Sequence, residues 1–397
     1  MSAVAPATPP ASAQEPVVRA VTKFTESVTA ALLSGGGAAG PNLVVSPYSV
    51  ATALGMTVNG ARGRTAEQML TVLGGLSVAD LDAGLALLDR ALVSRSRVHQ
   101  LPDGKQAEVV AAVANSVWGQ RGVTWEPDFL DALARWFGAG MRLVDYGNTE
   151  AARQAINGWV KDRTRTRIPQ LLAPGVLDAD TRLVLVNALY LKAPWLTPFE
   201  PQVTVDGPFR TDSGATVTAP LMSGPVEGAL TARDPAWTAV TMPYVGRELA
   251  MTVVLPEQPD AAAHRTLIAQ GLIGRVLSSV APGAAAVTMP RFTIRAQAEL
   301  STVLAALGMP AAFAAEADFS GMTRQAKLAI SAVVHEAFVA VDEAGTEAAA
   351  ATAVVMREVS APLDPVQLRL DRPFLFVIHE VATRTPLFVG RVGDPTR

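Results

Sequence analysis

The residues of this sequence best suited to acid–base chemistry are four histidines that lie far apart in the chain: His99, His264, His335 and His379. None belongs to a His-Glu-x-x-His pair, and the chain has neither a Gly-x-Ser-x-Gly elbow nor a P-loop. With no cysteine, a thiolate metal site, a disulfide and a cysteine nucleophile are all excluded. A dispersed Ser-His-Asp triad stays open, because its members need not be neighbours in sequence. No serine stands in a recognisable nucleophile context, so a hydrolase is the weaker hypothesis, and we expect neither a metal nor a cofactor.

A second group of residues could act by changing its place in the fold. Residues 342–363 follow a strong strand pattern at residues 331–341 and precede another at residues 372–378. This connection is too long for an ordinary loop, and long loops in compact domains are usually functional or disordered. Residues 345–352 within it are nearly all Ala and Thr, with the single charge Glu347. This composition favours a functional loop.

Read with the period of a strand, the Ala-rich run has one small and uncharged face, formed by Thr346, Ala348, Ala350 and Thr352. That face could enter a sheet without overpacking it. The opposite face, which carries Glu347, tolerates water. The alternative is a helix, because Ala has the best helix propensity, and the local sequence favours neither state. A loop with such a face can become a strand.

The surrounding pattern predicts mixed helices and strands. Apolar stripes predict helices at residues 17–33, 126–137 and 149–163, and residues 65–68 have the form of a capping box that opens another helix. Residues 182–191 are apolar at both odd and even positions, which is typical of a central strand covered on both faces.

Length and composition limit the domain organisation and the partners. The chain of 397 residues has no internal repeat and no linker, so we expect one domain at residues 16–397 after a disordered tail at residues 1–15. The formal net charge of −3 argues against nucleic acid or an anionic membrane as a partner. The first fifteen residues lack a recognisable secretory signal, and no stretch could span a bilayer. The compartment stays open, with the cytoplasm favoured over an extracellular site.

Three groups of residues resemble the serpin family, and together they extend from about Pro16 to the C-terminus. They are Ser46-Pro47-x-Ser49 with Gly60-Ala-x-Gly63-x-Thr65, then Trp195-x-x-Pro198-Phe199, and the hinge Glu343-Ala-Gly345-Thr346-Glu347-Ala-Ala-Ala-Ala-Thr352. The hinge resembles that of inhibitory serpins almost position for position, and we expect a bacterial member of the family.

The resemblance implies an α+β serpin fold, in which about nine helices pack on three β-sheets and a reactive-centre loop is exposed at about residues 344–365. It also implies three groups of site residues. The hinge comprises Glu343, Gly345, Thr346, Glu347, Ala348, Ala349, Ala350, Ala351 and Thr352. The shutter, a polar cluster beneath the main sheet, comprises Ser46, Ser49, Asn187 and His335. The breach, where insertion begins, comprises Trp195, Arg291 and Glu343, the last two as an ion pair.

The activity implied by the resemblance is inhibition of serine proteases by a suicide substrate, not catalysis. The protease cuts the loop, the loop inserts into the main sheet, and the acyl-enzyme is trapped as a covalent complex. By the family's spacing from Glu343, the scissile bond is Val359–Ser360, which suits an elastase-like or subtilisin-like protease. Arg357–Glu358 is the fallback and would suit a trypsin-like protease. We expect a monomer that can form loop–sheet polymers, and the alternative is a non-inhibitory carrier of the same fold.

Overall fold

The computed structural model describes residues 5–35, 40–101, 103–347 and 365–397, which form three β-sheets surrounded by helices. The α-helices of these residues are α1 (Gln14–Leu33), α2 (Pro47–Val58), α3 (Gly63–Val72), α4 (Val78–Ser94), α5 (Pro127–Phe137), α6 (Thr149–Arg163), α7 (Ala261–Ala269), α8 (Leu272–Ser279) and α9 (Ser301–Leu307). The expected architecture of nine helices and three sheets is confirmed for the described residues. None of these helices is long and apolar enough to cross a bilayer.

The main sheet contains the strands on which the predicted site depends. Its order is β13 (Phe292–Glu299), β14 (Ala332–Asp342), β15 (Gly345–Thr346), β5 (Leu183–Pro194), β3 (Gln106–Gln120) and β2 (Arg97–Gln100), and β4 (Arg142–Val144) also pairs with β3. Strands β14 and β5 run parallel and pair directly over residues 332–337 and 184–189.

Two further sheets complete the fold. The rear sheet has the order β1 (Leu43–Val45), β18 (Thr385–Val392), β17 (Phe374–Glu380), β10 (Leu249–Pro256), β9 (Trp237–Pro243), β8 (Leu230–Asp234) and β11 (Ala281–Pro282). The small sheet has the order β16 (Val366–Arg369), β12 (Ala285–Pro290), β7 (Thr216–Val226) and β6 (Val205–Arg210).

Strand β5 is buried on both faces, as its continuous apolar run predicts. Leu185 and Leu189 belong to the large core, in which the fully buried helix α2 also lies. Val184 and Val186 point to the other face, where they share a second core with α6. We call these the inner and outer faces of the main sheet. Side chains that alternate along a strand therefore alternate between the two cores.

Two local expectations differ from the structure. Helix α1 begins at Gln14, and the N–H of Ala7 donates to the carbonyl of Arg135 at 2.9 Å, so residues 5–15 have a defined path where a disordered tail is expected. The predicted capping box is wrong, because α3 begins at Gly63, and the hydroxyl of Thr65 instead accepts from the N–H of Asp318 at 3.0 Å. In both places, a hydrogen bond with a residue far away in sequence determines the local structure.

Candidate functional site

The candidate site is the gap between β5 and β14, which we call the slot. Below Leu189 and Ala337 the two strands pair directly, so no strand separates them there. Above that level β15 lies between them and pairs antiparallel with both. Thr346 is the register partner of Ala193 on β5 and of Val341 on β14. The expectation that the loop is wholly exposed from residue 344 is therefore wrong for Gly345 and Thr346, which already form a strand inside the main sheet.

Gly345 makes the entry into the slot possible. Its φ of +148° disfavours residues that have a side chain, and a Cβ atom would lie 2.4 Å from the carbonyl oxygen of Ala193. The neighbouring N–H of Trp195 donates to the carbonyl of Ala344 at 2.9 Å. The chain thus passes so close to the backbone of β5 that only a residue without a Cβ atom fits at this position.

Thr346 fills the top of the slot on the inner face. Its side chain is buried, and its hydroxyl lies 2.6 Å from that of Tyr244. Tyr244 in turn stacks on Trp195, with ring centroids 4.7 Å apart and planes 7° from parallel. The indole N–H of Trp195 donates to the carbonyl of Asp342 at 3.0 Å. These contacts hold a small polar residue at the point where a strand would start to enter.

The predicted breach residues converge at the same end of the slot. The guanidinium of Arg291 donates from Nε to Oε1 of Glu343 at 2.7 Å, as the resemblance implies, and the hydroxyl of Thr204 donates to the same oxygen. Burial opposes ionisation of Glu343, but these hydrogen bonds outweigh it and lower the pKa of its carboxyl below the ordinary value. The carboxylate is therefore charged at neutral pH and anchors the root of the loop.

Glu347 lies on the outer face, opposite to Thr346. Its side chain is only 2% exposed, and Oε1 is 3.0 Å from Nε of Arg167, so the face that tolerates water by its composition is buried at this position. Neither carboxylate oxygen accepts a hydrogen bond of good geometry, and burial raises the pKa of the carboxyl. The backbone φ of +52° is in the left-handed region, which is strained for a glutamate. Strand β15 thus ends at Thr346, although the N–H of Glu347 still donates to the carbonyl of Ala340 on β14 at 2.9 Å.

The four predicted shutter residues meet on the inner face, at the closed part of the slot where β5 and β14 pair directly. The N–H of Ser46 donates to Nε2 of His335 at 3.0 Å, so the proton of the neutral ring is on Nδ1 and is donated to Oδ1 of Asn187 at 2.6 Å. Burial lowers the pKa of His335 to about 4, which keeps the ring neutral at pH 7. This hydrogen bond joins β14 to β5, because His335 and Asn187 are register partners.

The structure adds Asn115 to this cluster, a residue that sequence reasoning missed. Its Oδ1 accepts from the hydroxyl of Ser49 at 2.6 Å, and it pairs with Asn187 across β3 and β5. The amide nitrogens of Asn115 and Asn187 are both buried without a hydrogen-bond partner. The available signal was a polar residue two positions before the core residue Val117, on the same face of β3. The closed shutter therefore leaves two donors unused.

Several predicted site residues lie outside the described residues. These are the distal hinge, Ala348, Ala349, Ala350, Ala351 and Thr352, and the residues around the scissile bond, Arg357, Glu358, Val359 and Ser360. Among the residues that are described, no cluster of three or more His, Asp or Glu side chains could hold a metal ion.

Comparison with known proteins gives a family for this arrangement. The family model for serpins, described as serine protease inhibitors, matches residues 19–395. The leukocyte elastase inhibitor of Sus scrofa is 34% identical over 366 residues, which cover 89% of this chain and 93% of the relative. A serpin-like protein of Thermococcus kodakarensis is 34% identical over 96% of this chain and 86% of its own length.

Solved structures agree with the sequence relatives. The native state of the thermophilic serpin tengpin matches with a TM-score of 0.83 and 26% identity, covering 95% of this chain and 94% of that structure. Thyroxine-binding globulin in complex with thyroxine matches with a TM-score of 0.81 and 25% identity, covering 96% of this chain and 99% of that structure. The sheets, the occupied slot entrance and these relatives lead to one conclusion: the chain belongs to the serpin family.

Proposed function

We propose that this protein inhibits serine proteases as a suicide substrate and is not an enzyme. The observation that carries the proposal is the occupied entrance of the slot, where Gly345 and Thr346 already lie between β5 and β14 while the strands are closed below. After cleavage of the loop, the freed segment continues from Thr346 into the slot and adds two ladders of backbone hydrogen bonds.

The register of β15 determines where the inserted residues would go. Continuing it by six residues brings Thr352 opposite both Asn187 and His335, whose mutual hydrogen bond must break for a strand to pass. Residues 346 and 352 share a strand face, so Thr352 would point to the inner face, towards the shutter. Its hydroxyl could then form hydrogen bonds with the side chains of Asn187 and His335, which lose their mutual hydrogen bond when the sheet opens.

The length of insertion explains how a protease would be trapped. About fourteen inserted residues at roughly 3.3 Å each move the cut end by on the order of 45 Å. A protease still esterified to that end would travel with it. Catalysis requires its groups to be held within about an ångström, so distortion during the transfer would stall deacylation. The partner is then a covalently bound serine protease, and the inhibitor itself is a monomer.

The proposed scissile bond is Val359–Ser360, which suits an elastase-like or subtilisin-like protease with a small apolar primary pocket. The name of the leukocyte elastase inhibitors among the relatives supports an elastase-like target. Arg357–Glu358 is the fallback for a trypsin-like target, but the acidic residue directly after that bond disfavours it.

The alternative is a carrier, as the bound state of thyroxine-binding globulin illustrates for the same fold. The apolar cavity beneath α7 and α8, lined by residues such as Ile268, Leu272 and Val389, encloses about 10 Å³ and holds at most about one water molecule. A second cavity of about 260 Å³, beside Arg62 and Arg324, is lined mainly by charged residues and offers no apolar pocket. The small residues of the hinge also favour insertion over a carrier role.

Incubation with pancreatic elastase, subtilisin and trypsin tests the proposal. We expect a complex that survives SDS with one of the first two proteases. The matched variant Val359→Arg should lose that complex and gain one with trypsin. Clean cleavage without any complex would support the carrier, and turnover of ester substrates by the protein alone would support the hydrolase.

A further inference from the structure

Two arginines meet two tryptophans on the outer face of the main sheet, at the edge where β4 pairs with β3. Cζ of Arg142, on β4, lies 5.5 Å from the ring centroid of Trp118 and 4.9 Å from that of Trp159. Cζ of Arg163, in the last turn of α6, lies 5.8 Å from the centroid of Trp159. The two rings contact each other edge to face, with centroids 6.0 Å apart. We call these four residues the platform.

The positive charges of the platform are not neutralised within the part of the chain that the structure describes. Neither guanidinium donates a hydrogen bond to a described residue or forms an ion pair with one. Asp162, the residue before Arg163, makes no ion pair with it. Asp145 and Glu150, the acids of the flanking segments, are hydrogen-bonded to other side chains. The platform therefore carries two cations without a counter-ion from these segments.

The two cations also act on each other. Burial first, and then the positive charge of Arg163, lower the pKa of Arg142 below its ordinary value. Both guanidiniums nevertheless stay charged at neutral pH, because arginine does not lose its proton in proteins. An anion bound beside them would relieve their repulsion. Both residues are exposed, so a ligand from solution can reach them.

The contacts with the rings leave the hydrogen-bonding capacity of the guanidiniums unused. Each guanidinium has five N–H donors in one plane, and a carboxylate can accept two of them in a fork. The tryptophan rings also restrict the two long side chains, which reduces the entropy that they lose when a ligand binds. The platform thus holds two separate forks ready for two oxyanions.

We propose that the platform binds an extended acidic segment of another protein, with one carboxylate on each arginine. Side chains two residues apart in an extended chain point to the same side and are about 7 Å apart. Both Cζ atoms lie within 5.8 Å of the ring centroid of Trp159, so carboxylates at that spacing can reach both arginines. Trp159 is partly exposed and offers an apolar contact to the same segment.

This interaction surface is independent of the proposed function. Strand β4, which carries Arg142, pairs with β3, and β3 pairs with β5, so two strands separate the platform from the slot. Binding at the platform needs neither cleavage of the loop nor its insertion.

Fluorescence anisotropy of a labelled peptide, Gly-Glu-Ala-Glu-Ala-Glu-Gly, tests the platform in the full chain at low ionic strength. We expect the wild type to bind the peptide. Arg142→Gln and Arg163→Gln should each bind it about five- to tenfold more weakly, because each loses one charge-assisted contact. Arg142→Lys, which keeps the charge, should recover part of that affinity. The control is Arg64→Gln, which removes an exposed arginine from α3 and should bind as the wild type does.

Two further ligands define the chemistry of the site. A peptide with glutamine in place of each glutamate should not bind, because it lacks the carboxylates. Inorganic phosphate, at the concentration of the peptide's carboxylates, should not displace the acidic peptide, because one small anion cannot occupy both forks. No binding of the acidic peptide by the wild type, equal binding by the two glutamine variants, or displacement by phosphate would overturn the proposal.

Discussion

Thr346 is the residue on which strand entry depends most, because it is the last inward-facing side chain already in the slot. It is 1% exposed and hydrogen-bonded to Tyr244. An arginine does not fit this buried place, so we expect Thr346→Arg to lie outside the slot entrance in the intact protein. Its re-entry after cleavage would bury an unpaired charge at a cost of about 3–5 kcal/mol, which slows insertion by about 100-fold or more and turns the inhibitor into a substrate. The number of inhibitor molecules consumed per protease inactivated measures this change. Thr346→Ser, which keeps the hydroxyl, is the control, and undiminished trapping by the arginine variant would contradict this role.

The buried histidine of the shutter predicts a specific pH dependence. Burial lowers the pKa of His335 from an ordinary value of 6.5 to about 4. Between these two values the unfolded chain binds a proton that the folded protein does not, so this residue makes stability fall as the pH falls from 6.5 to 4. Above pH 6.5 both states are neutral and the effect vanishes.

His335→Gln removes that proton uptake. The free energy of unfolding of the variant should decline by about 1.4 kcal/mol less per pH unit than that of the wild type between pH 6 and 4.5. Urea denaturation at several pH values measures the difference. Two curves that stay parallel over this range would show that His335 is protonated in the folded state.

At the scale of the strands, β5 and β14 are the pair that must separate. Val186 and Val334 are register partners on the outer face, with Cα atoms about 4.8 Å apart, within the range of a disulfide. The native chain has no cysteine, so Val186→Cys/Val334→Cys creates a unique pair. We expect the oxidised variant to be cleaved without trapping, and reduction to restore the SDS-resistant complex. Each single cysteine variant serves as a control, and equal trapping by the oxidised form would show that the strands need not part.

Elements with strong patterns could be predicted from sequence, and those that depend on distant partners could not. Helix α6 has the predicted bounds, and β5 is the central strand that its double-sided apolar run indicates. Strand β15 has two residues, too few for any periodicity, and it exists only because β5 and β14 offer it partners. Its neighbours in the Ala-rich run suit a helix as well as a strand, so the local sequence does not distinguish between these two structures.

The candidate site likewise contains residues that could be predicted from sequence and residues that depend on tertiary contacts. The shutter and breach residues were placed by resemblance to a family, and the structure brings each group together. The burial of Glu347 and the participation of Asn115 were missed, because both follow from tertiary contacts. A carboxylate in an Ala-rich loop looks solvent-exposed until Arg167 of another segment is placed beside it.

At the scale of the whole molecule, the proposed function requires a main sheet that lacks one strand, which the same chain can supply. The closed shutter and the anchored root of the loop hold this arrangement, while two buried amide donors of the shutter stay unpaired. Insertion would add about ten or more net backbone hydrogen bonds. At about 1 kcal/mol each, these stabilise the cleaved form by on the order of 10 kcal/mol. The intact protein is then less stable than its own cleavage product.

Thermal denaturation of the intact and the singly cleaved protein tests this claim most directly. The protein is nicked in the loop by a protease that it does not trap, and both forms are melted in the same buffer. We predict that the cleaved form melts higher by on the order of 10 °C. A cleaved form that melts at or below the temperature of the intact protein would contradict loop insertion.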